Sequence, residues 1–240
     1  MSQISENSAR ILAVGAHPDD IEFACGGILL AEAARGSEVF LCVCSRGESG
    51  TSGTPDEREA EARRAAEMLG ATLQFLDFGD SQMAASNENA LVLARQIRAV
   101  KPAVLLSSVT SLDQHPDHAV VGQLCHEAAR FARFGGIAEL RDCPSHAIAH
   151  HFEYAVTPKA EPSRDRLSVR VDISAHFARW IELMECHRSQ LRTRNYVELQ
   201  TARARLLGQE AGVDHAQALF LRDDLLVQTL AEVPASIRLF

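Results

Sequence analysis

The sequence predicts an α/β fold: a mostly parallel, doubly wound sheet with helices on both faces, a three-layer α/β/α arrangement forming a single domain over residues 1–240. Three observations carry this. Short apolar runs alternate with longer amphipathic stretches through the first two-thirds of the chain, the order that parallel strands and crossover helices impose. Glycines close several of the helical stretches, as at Gly36, Gly70 and Gly208. Two His-Pro-Asp turns follow two of the apolar runs, at the carboxyl ends of strands, where open sheets of this kind keep their ligand crevices.

Residues 11–14 (ILAV) read as a buried strand. Gly15 and Ala16 are small enough to let the chain turn, and Pro18 fixes φ for a first helical residue. A helix is expected over 23–35. Residues 38–44 (EVFLCVC) form the second strand, which ends in Ser45-Arg46-Gly47-Glu48 and a small-residue loop, 49–55, of the type that serves as a lid. A charged, Ala-rich helix over 56–69 carries Glu and Arg at three- and four-residue spacings, mostly a solvated face. The third strand is expected at 73–78, a helix at 88–100, the fourth strand at 103–107 and a helix at 117–133. The last third is less regular: strands at 147–156 and 168–173, a Pro- and charge-rich connector at 158–166, a helix from the cap Ser174 to Gln190, and a final helix over 192–207.

Composition narrows the function. A net charge of -8 argues against a nucleic-acid surface. No apolar run reaches the ~18 residues that a membrane span needs. Residues 1–10 are polar and lack the order of an export signal. Cys25, Cys42, Cys44, Cys125, Cys143 and Cys186 contain no Cys-x-x-Cys pair, so the expectation is six reduced thiols in a cytoplasmic protein. Cys42 and Cys44 lie two apart in a strand and so share one of its faces.

The chemistry concentrates in Ala16-His17-Pro18-Asp19-Asp20. His17 and Asp20, three apart on one turn, can point at a common atom while Asp19 faces another way. Two adjacent carboxylates beside an imidazole repel each other unless something cationic neutralises them, and a divalent metal does so. Taken alone, the stretch is also what a polar helix cap looks like. The second motif, Asp113-Gln114-His115-Pro116-Asp117-His118, repeats the pattern after another strand and favours the metal.

Ala16-His17-Pro18-Asp19-Asp20-Ile21-Glu22, Gly26-Gly27, Arg46-Gly47-Glu48 and His115-Pro116-Asp117-His118 resemble the LmbE/PIG-L family of zinc-dependent N-acetylglucosamine-type deacetylases, in its bacterial, bacillithiol-pathway branch. Val171-Asp172-Ile173-Ser174, His187-Arg188-Ser189-Gln190 and Tyr196-Val197-Glu198 continue the likeness. The resemblance implies a Rossmann-like sheet, one Zn2+ per chain on His17, Asp20 and His118, and removal of the N-acetyl group from an amino sugar or its conjugate. It implies Asp19 as general base and a protonated His115, held by Asp117, as oxyanion stabiliser. Arg58, Arg46, Glu48 and Tyr196 are the expected substrate-binding residues, a small N-acetylated molecule the partner, and self-association the assembly. Gln217 stands where the family usually has Glu.

The residues admit other chemistries. Two histidines and a carboxylate also bind iron(II), as in oxygenases, although Asp19 is a ready base for hydrolysis. The same mechanism serves a non-sugar N-acyl substrate. A non-catalytic phosphate-binding module lacks its Gly-x-Gly-x-x-Gly turn. A glycoside hydrolase on Asp19 and Asp117 leaves the histidines without a purpose. Glu22 and His187 read as structural, His126, His146, His176 and His215 lack partner spacing, and His150 and His151 are at most rim residues.

Overall fold

The computed structural model describes residues 8–163, 166–192 and 194–237. Among these residues seven strands join one sheet: β1 (Arg10–Gly15), β2 (Glu38–Val43), β3 (Thr72–Phe75), β4 (Val104–Ser108), β5 (His150–Tyr154), β6 (Ser168–Asp172) and β7 (Ala216–Leu221), in the order β3-β2-β1-β4-β5-β7-β6. The first five run parallel, and β7 pairs antiparallel with β5 on one side and β6 on the other. From β1 the chain builds outward through β2 to β3, then returns to lay β4 on the other side of β1. The strand order therefore reverses between β1 and β4, and a crevice opens there at their carboxyl ends.

Among the described residues six α-helices cover the sheet: α1 (Asp20–Ala34), α2 (Pro55–Leu69), α3 (Asn87–Val100), α4 (Pro116–Arg133), α5 (Phe177–Met184) and α6 (Tyr196–Ala211). The period-2 pleat of β1 shows why both faces need cover. Ile11 and Ala13 enter one core with Phe23, Trp180, Leu183 and Ala204, while Leu12 and Val14 enter another with Leu93, Ile97, Val121 and Leu124. Each fully buried large aliphatic side chain contributes ~1.5–3 kcal/mol of transfer free energy. Cys42 and Cys44 share the second core, and all six cysteines are free. No described helix is long and apolar enough to cross a membrane.

Helix α1 is buried from Asp20 to Ala31, so its packing is close all round. Trp180 Nε1 donates to the Glu22 carbonyl at 2.8 Å, and a Cβ on Gly26 would meet Leu183 Cδ2 at 2.9 Å. Gln217, on β7, accepts the Ile28 N–H at 2.9 Å. The residue that departs from the family pattern thus serves inside the fold, as an acceptor for α1.

Several boundaries differ from the sequence expectation. Strand β7 was absent from it. The third strand is shorter, ending at Phe75, and α6 begins at Tyr196. Helix α5 stops at Met184 because the following residues have partners elsewhere: Ser189 donates through N (2.8 Å) and Oγ (2.6 Å) to Glu61 of α2, and Gln190 Nε2 reaches Ser52 O at 2.8 Å. That last bond, with Ser49 N on Asp80 Oδ2 at 2.9 Å, ties down the loop expected to act as a lid. The reading of residues 1–10 as signal-free falls, for 1–7, outside the described residues, as do 164 and 165 of the connector.

Candidate metal centre

The first turn after β1 is built by Asp20. Its Oδ2 accepts the backbone N–H of Ala16 (3.0 Å) and His17 (2.9 Å), pinning the loop to the start of α1. Its Oδ1 then faces His118 Nε2 at 3.0 Å. The tight path holds Asp19 at φ of 114°, a left-handed value that a non-glycine residue adopts only under constraint. His118 arrives from the start of α4. That helix lies close on β4, since a Cβ on Gly122 would stand 2.4 Å from the Ser108 carbonyl oxygen. Ser108 Oγ donates to the His118 carbonyl as a further tie.

His17 Nδ1 stands 3.3 Å from His118 Nε2 and 3.6 Å from the Asp20 carboxylate. His17 Nδ1 and Asp20 Oδ1 thus approach His118 Nε2 at 3.3 and 3.0 Å, and one ligand atom from each of the three buried residues lies within 4.8 Å of the others. A tetrahedral centre with bonds of ~2.05 Å has ligand–ligand edges of roughly 3.3 Å, so the set fits a divalent metal with one position left for water or substrate. Burial alone would raise the Asp20 carboxyl, yet His118 and His17 hold it well below the carboxylate range. Burial alone would lower His17, and Asp20, Asp80 and Asp19 instead lift it to about 9. The site is electronegative, and a cation belongs there.

A second set, His17, Asp80, His115 and Asp117, also has ligand atoms within 4.8 Å of one another. It uses the opposite edge of the same imidazole, where His17 Nε2 meets Asp80 Oδ1 at 3.1 Å and Asp117 Oδ2 at 3.2 Å. The triad is the better centre, because all three of its members are buried, whereas His115 of the second set is exposed.

Asp19 lies beside the triad without joining it. Burial first, then the Asp20 charge, raises its carboxyl to about 6, against the opposing pull of Arg58, His187 and His17. Arg58 is buried and gives Nη1 to the Gly47 carbonyl (3.0 Å) and Nη2 to the Pro18 carbonyl (3.1 Å), with Asp19 at 3.8 Å. Through these bonds it braces the turn that carries Asp19. Gly47, at φ 69°, is needed there, since a Cβ would fall 2.0 Å from Arg58 Nη1.

His115 sits at the open edge, its ring perpendicular to His17 at 4.8 Å, with the side chain 44% exposed. Asp117 stands at ion-pair distance from His115, without a hydrogen bond between their side chains. Asp117 Oδ2 is 4.0 Å from His115 Nδ1 but accepts Ser81 N at 2.7 Å and lies against His17. His115 Nδ1 instead accepts the Asp117 N–H at 3.3 Å as the cap of α4, which leaves the ring proton on Nε2. Burial first, then the charges of His17 and His118, lower its pKa, against the opposing pull of Asp117 and Asp20.

The remaining expected residues lie further out. Arg46 pairs with Asp56 and Glu59 of α2. Glu48 is exposed and accepts the N–H of Arg46 and, at 2.8 Å, of Asp80. The Tyr196 ring packs on Phe23 at 5.7 Å. His187 is buried against Glu22 at 3.5 Å. Asp80 escaped the sequence reading altogether; its one signal was position, just beyond the third strand on the same sheet edge. A cavity of about 250 Å³ at the other end of the sheet, lined by Leu12, Phe40, Thr72 and Val100, is remote from this chemistry.

Residues 12–129 match the PIG-L model, described as GlcNAc-PI de-N-acetylase. The chain is 34% identical over 128 residues to the uncharacterized deacetylase YaiS of Escherichia coli, covering 50% of this chain and 68% of that protein. It is 32% identical over 137 residues to a 4-oxalmesaconate hydratase of Pseudomonas putida, covering 52% of this chain and 53% of the other. It is 31% identical over 135 residues to a diacetylchitobiose deacetylase of Thermococcus kodakarensis, covering 51% and 50%. The chain thus spans about half the length of the last two. Among solved structures, a conserved protein of Thermus thermophilus superposes with a TM-score of 0.79 at 30% identity, over 94% of this chain and 99% of that one.

Proposed function

The chain belongs to the PIG-L family, and on that premise we propose that it is a zinc-dependent hydrolase that removes the N-acetyl group from an N-acetylated amino sugar or its conjugate, releasing acetate. The observation that supports this best is the convergence of His17 Nδ1, Asp20 Oδ1 and His118 Nε2 with a raised, unligated carboxylate, Asp19, alongside. Two imidazoles and one carboxylate with a fourth position open is a catalytic zinc donor set. When bound, the metal supplies Lewis-acid polarisation of the amide carbonyl and lowers the pKa of a water from 15.7 to about 7.

The chain's own residues do the rest. Asp19, basic enough near neutral pH, takes the proton of the attacking water and returns it to the leaving amine. His115 donates its Nε2–H to the acyl oxygen as negative charge builds there. Arg58 keeps the Pro18 carbonyl and Asp19 in register with that exchange. Of the expected substrate contacts, Glu48 is the one both exposed and joined to the cluster, through Asp80. We place the enzyme in the cytoplasm and expect it to self-associate, a reading supported by exposed Leu225, Leu226, Leu230, Val233 and Ile237 near its end; light scattering of the purified protein tests the assembly.

The hydratase relative favours a second reading, addition of water across a conjugated C=C bond. A substrate with several carboxylates needs free cations, and the arginine at this cluster commits its donors to backbone carbonyls. The amide reading is therefore preferred. The test is an acetate-release screen of N-acetylated amino sugars, their glycosides and small N-acyl amides. Release abolished by EDTA and restored by zinc supports it. Silence across the screen, with metal-dependent hydration of an unsaturated dicarboxylic acid, transfers the site to the second reaction, and oxygen-dependent turnover with iron(II) to the oxygenase class.

A further inference from the structure

Asp80 lies outside both His-Pro-Asp motifs, yet its carboxylate is as buried as those of the triad: the residue is 4% exposed, like Asp20. Both of its oxygens are engaged. Oδ1 faces His17 Nε2 at 3.1 Å and accepts Ser81 Oγ at 3.2 Å, while Oδ2 accepts Ser49 N at 2.9 Å. Its own N–H donates to Glu48 Oε1 at 2.8 Å, and Ser49 Oγ donates to its carbonyl at 3.0 Å. A group held by so many bonds has a fixed position and little capacity for a substrate.

We propose that Asp80 is a positioning residue for His17: it receives the Nε2–H, so that the Nδ1 lone pair is presented to the point where Asp20 and His118 converge. This rests on the metal reading above. An imidazole that binds metal through one nitrogen must carry its proton on the other, and in a buried site that proton needs an acceptor. Asp117 Oδ2 is also near, at 3.2 Å, but it is taken up by the shorter 2.7 Å bond from Ser81 N. Asp80 thereby links two parts of the molecule. The loop carrying Glu48 and Ser49 grips one side of the carboxylate, and the metal ligand takes the other. Displacing the loop then loosens the ligand without touching the metal.

The experiment measures zinc affinity of the full chain, stripped of metal, by competition with a chromogenic chelator, alongside the melting temperature of the stripped protein. Wild type is expected to bind one zinc. Asp80→Asn is expected to bind it at least ~10-fold more weakly, with the stripped protein melting within about 2 °C of wild type. In the zinc-loaded wild type, the His17 ring N–H should appear as a downfield proton resonance that moves in Asp80→Asn and stays in Asp117→Asn. Asp80→Ser gives the same comparison should the asparagine variant fold poorly. Unchanged affinity in the Asp80 variants, or a ring N–H that follows Asp117 instead, overturns the proposal while leaving the metal reading intact. Failure of wild type to bind zinc overturns both.

Discussion

His17 Nδ1 and His118 Nε2, from residues 101 positions apart, stand 3.3 Å from each other beside the Asp20 carboxylate. Two buried ring nitrogens at that separation share one proton or one metal ion. A ligand that binds only the folded state at 100 times its Kd stabilises it by ~2.7 kcal/mol. For a chain of this size that corresponds to a rise in Tm of roughly 5–10 °C. Zinc should therefore raise the melting temperature of the stripped protein by about that much. His118→Ala should abolish the rise and lose bound metal in elemental analysis, and a variant that still bound one equivalent would remove His118 from the ligand set.

Asp19 tests the chemistry apart from the metal. The residue contacts Arg58 and holds a left-handed backbone, while the donor atoms of the triad lie elsewhere. Asn tolerates such a φ better than other residues, so Asp19→Asn keeps the turn while removing the base. It should retain a full equivalent of metal and lose at least ~10²-fold in kcat. Near-normal turnover would assign the proton transfer to another group.

The two motifs were legible because their information is local. A spacing of three on one turn, placed just after an apolar strand, states both ligand type and address. Alternation of strands and helices supplied the rest, since each parallel strand buries both faces and reads as an unbroken apolar run. What escaped has long-range causes. Strand β7 inserts between β5 and β6 against the direction of both, and its run AQALFL carries no β-branched residue. Asp80 is a lone carboxylate after a short strand, and its meaning comes from His17, 63 positions away. Asp117 is near His115 in sequence, but the start of α4 turns it toward His17 instead. Arg98, on α3, has partners more than 30 positions away. It is buried and donates to the carbonyls of Phe131, Ala132, Phe134, Leu140 and Cys143, satisfying the end of α4.

Gly122 connects packing to the metal centre. Its missing Cβ lets α4 approach the Ser108 carbonyl, and a methyl group 2.4 Å from that oxygen must displace backbone. Overpacking of this kind costs ~1–3 kcal/mol. His118 lies one turn earlier on the same helix, so Gly122→Ala should weaken zinc binding as well as lower the melting temperature. Gly136→Ala, where an added Cβ meets nothing within 4 Å, is the control and should alter neither. Equal zinc affinity in wild type and Gly122→Ala would show that the helix start is held independently of its contact with β4.

His151, on β5, sets a pH dependence away from the metal. Burial first, then the charges of His126, Arg222 and Arg166, lowers its pKa from 6.5 to about 3, and its Nε2 lies 2.9 Å from Ser107 Oγ. In the unfolded chain the imidazole takes a proton below its ordinary pKa of ~6.5, whereas in the fold it stays neutral down to about 3. Across that window the unfolded state binds more protons, so stability falls as pH falls. Above the window the group contributes no slope, and below it the loss is complete. His151→Gln keeps a polar group for Ser107 and removes the titration. Melting temperature measured with chelator present, so that metal release adds nothing, should drop less steeply for His151→Gln than for wild type between pH 6.5 and pH 4. At pH 8 the two should differ by a constant offset alone. Parallel curves through the acid range would mean that the folded imidazole takes its proton as readily as the unfolded one.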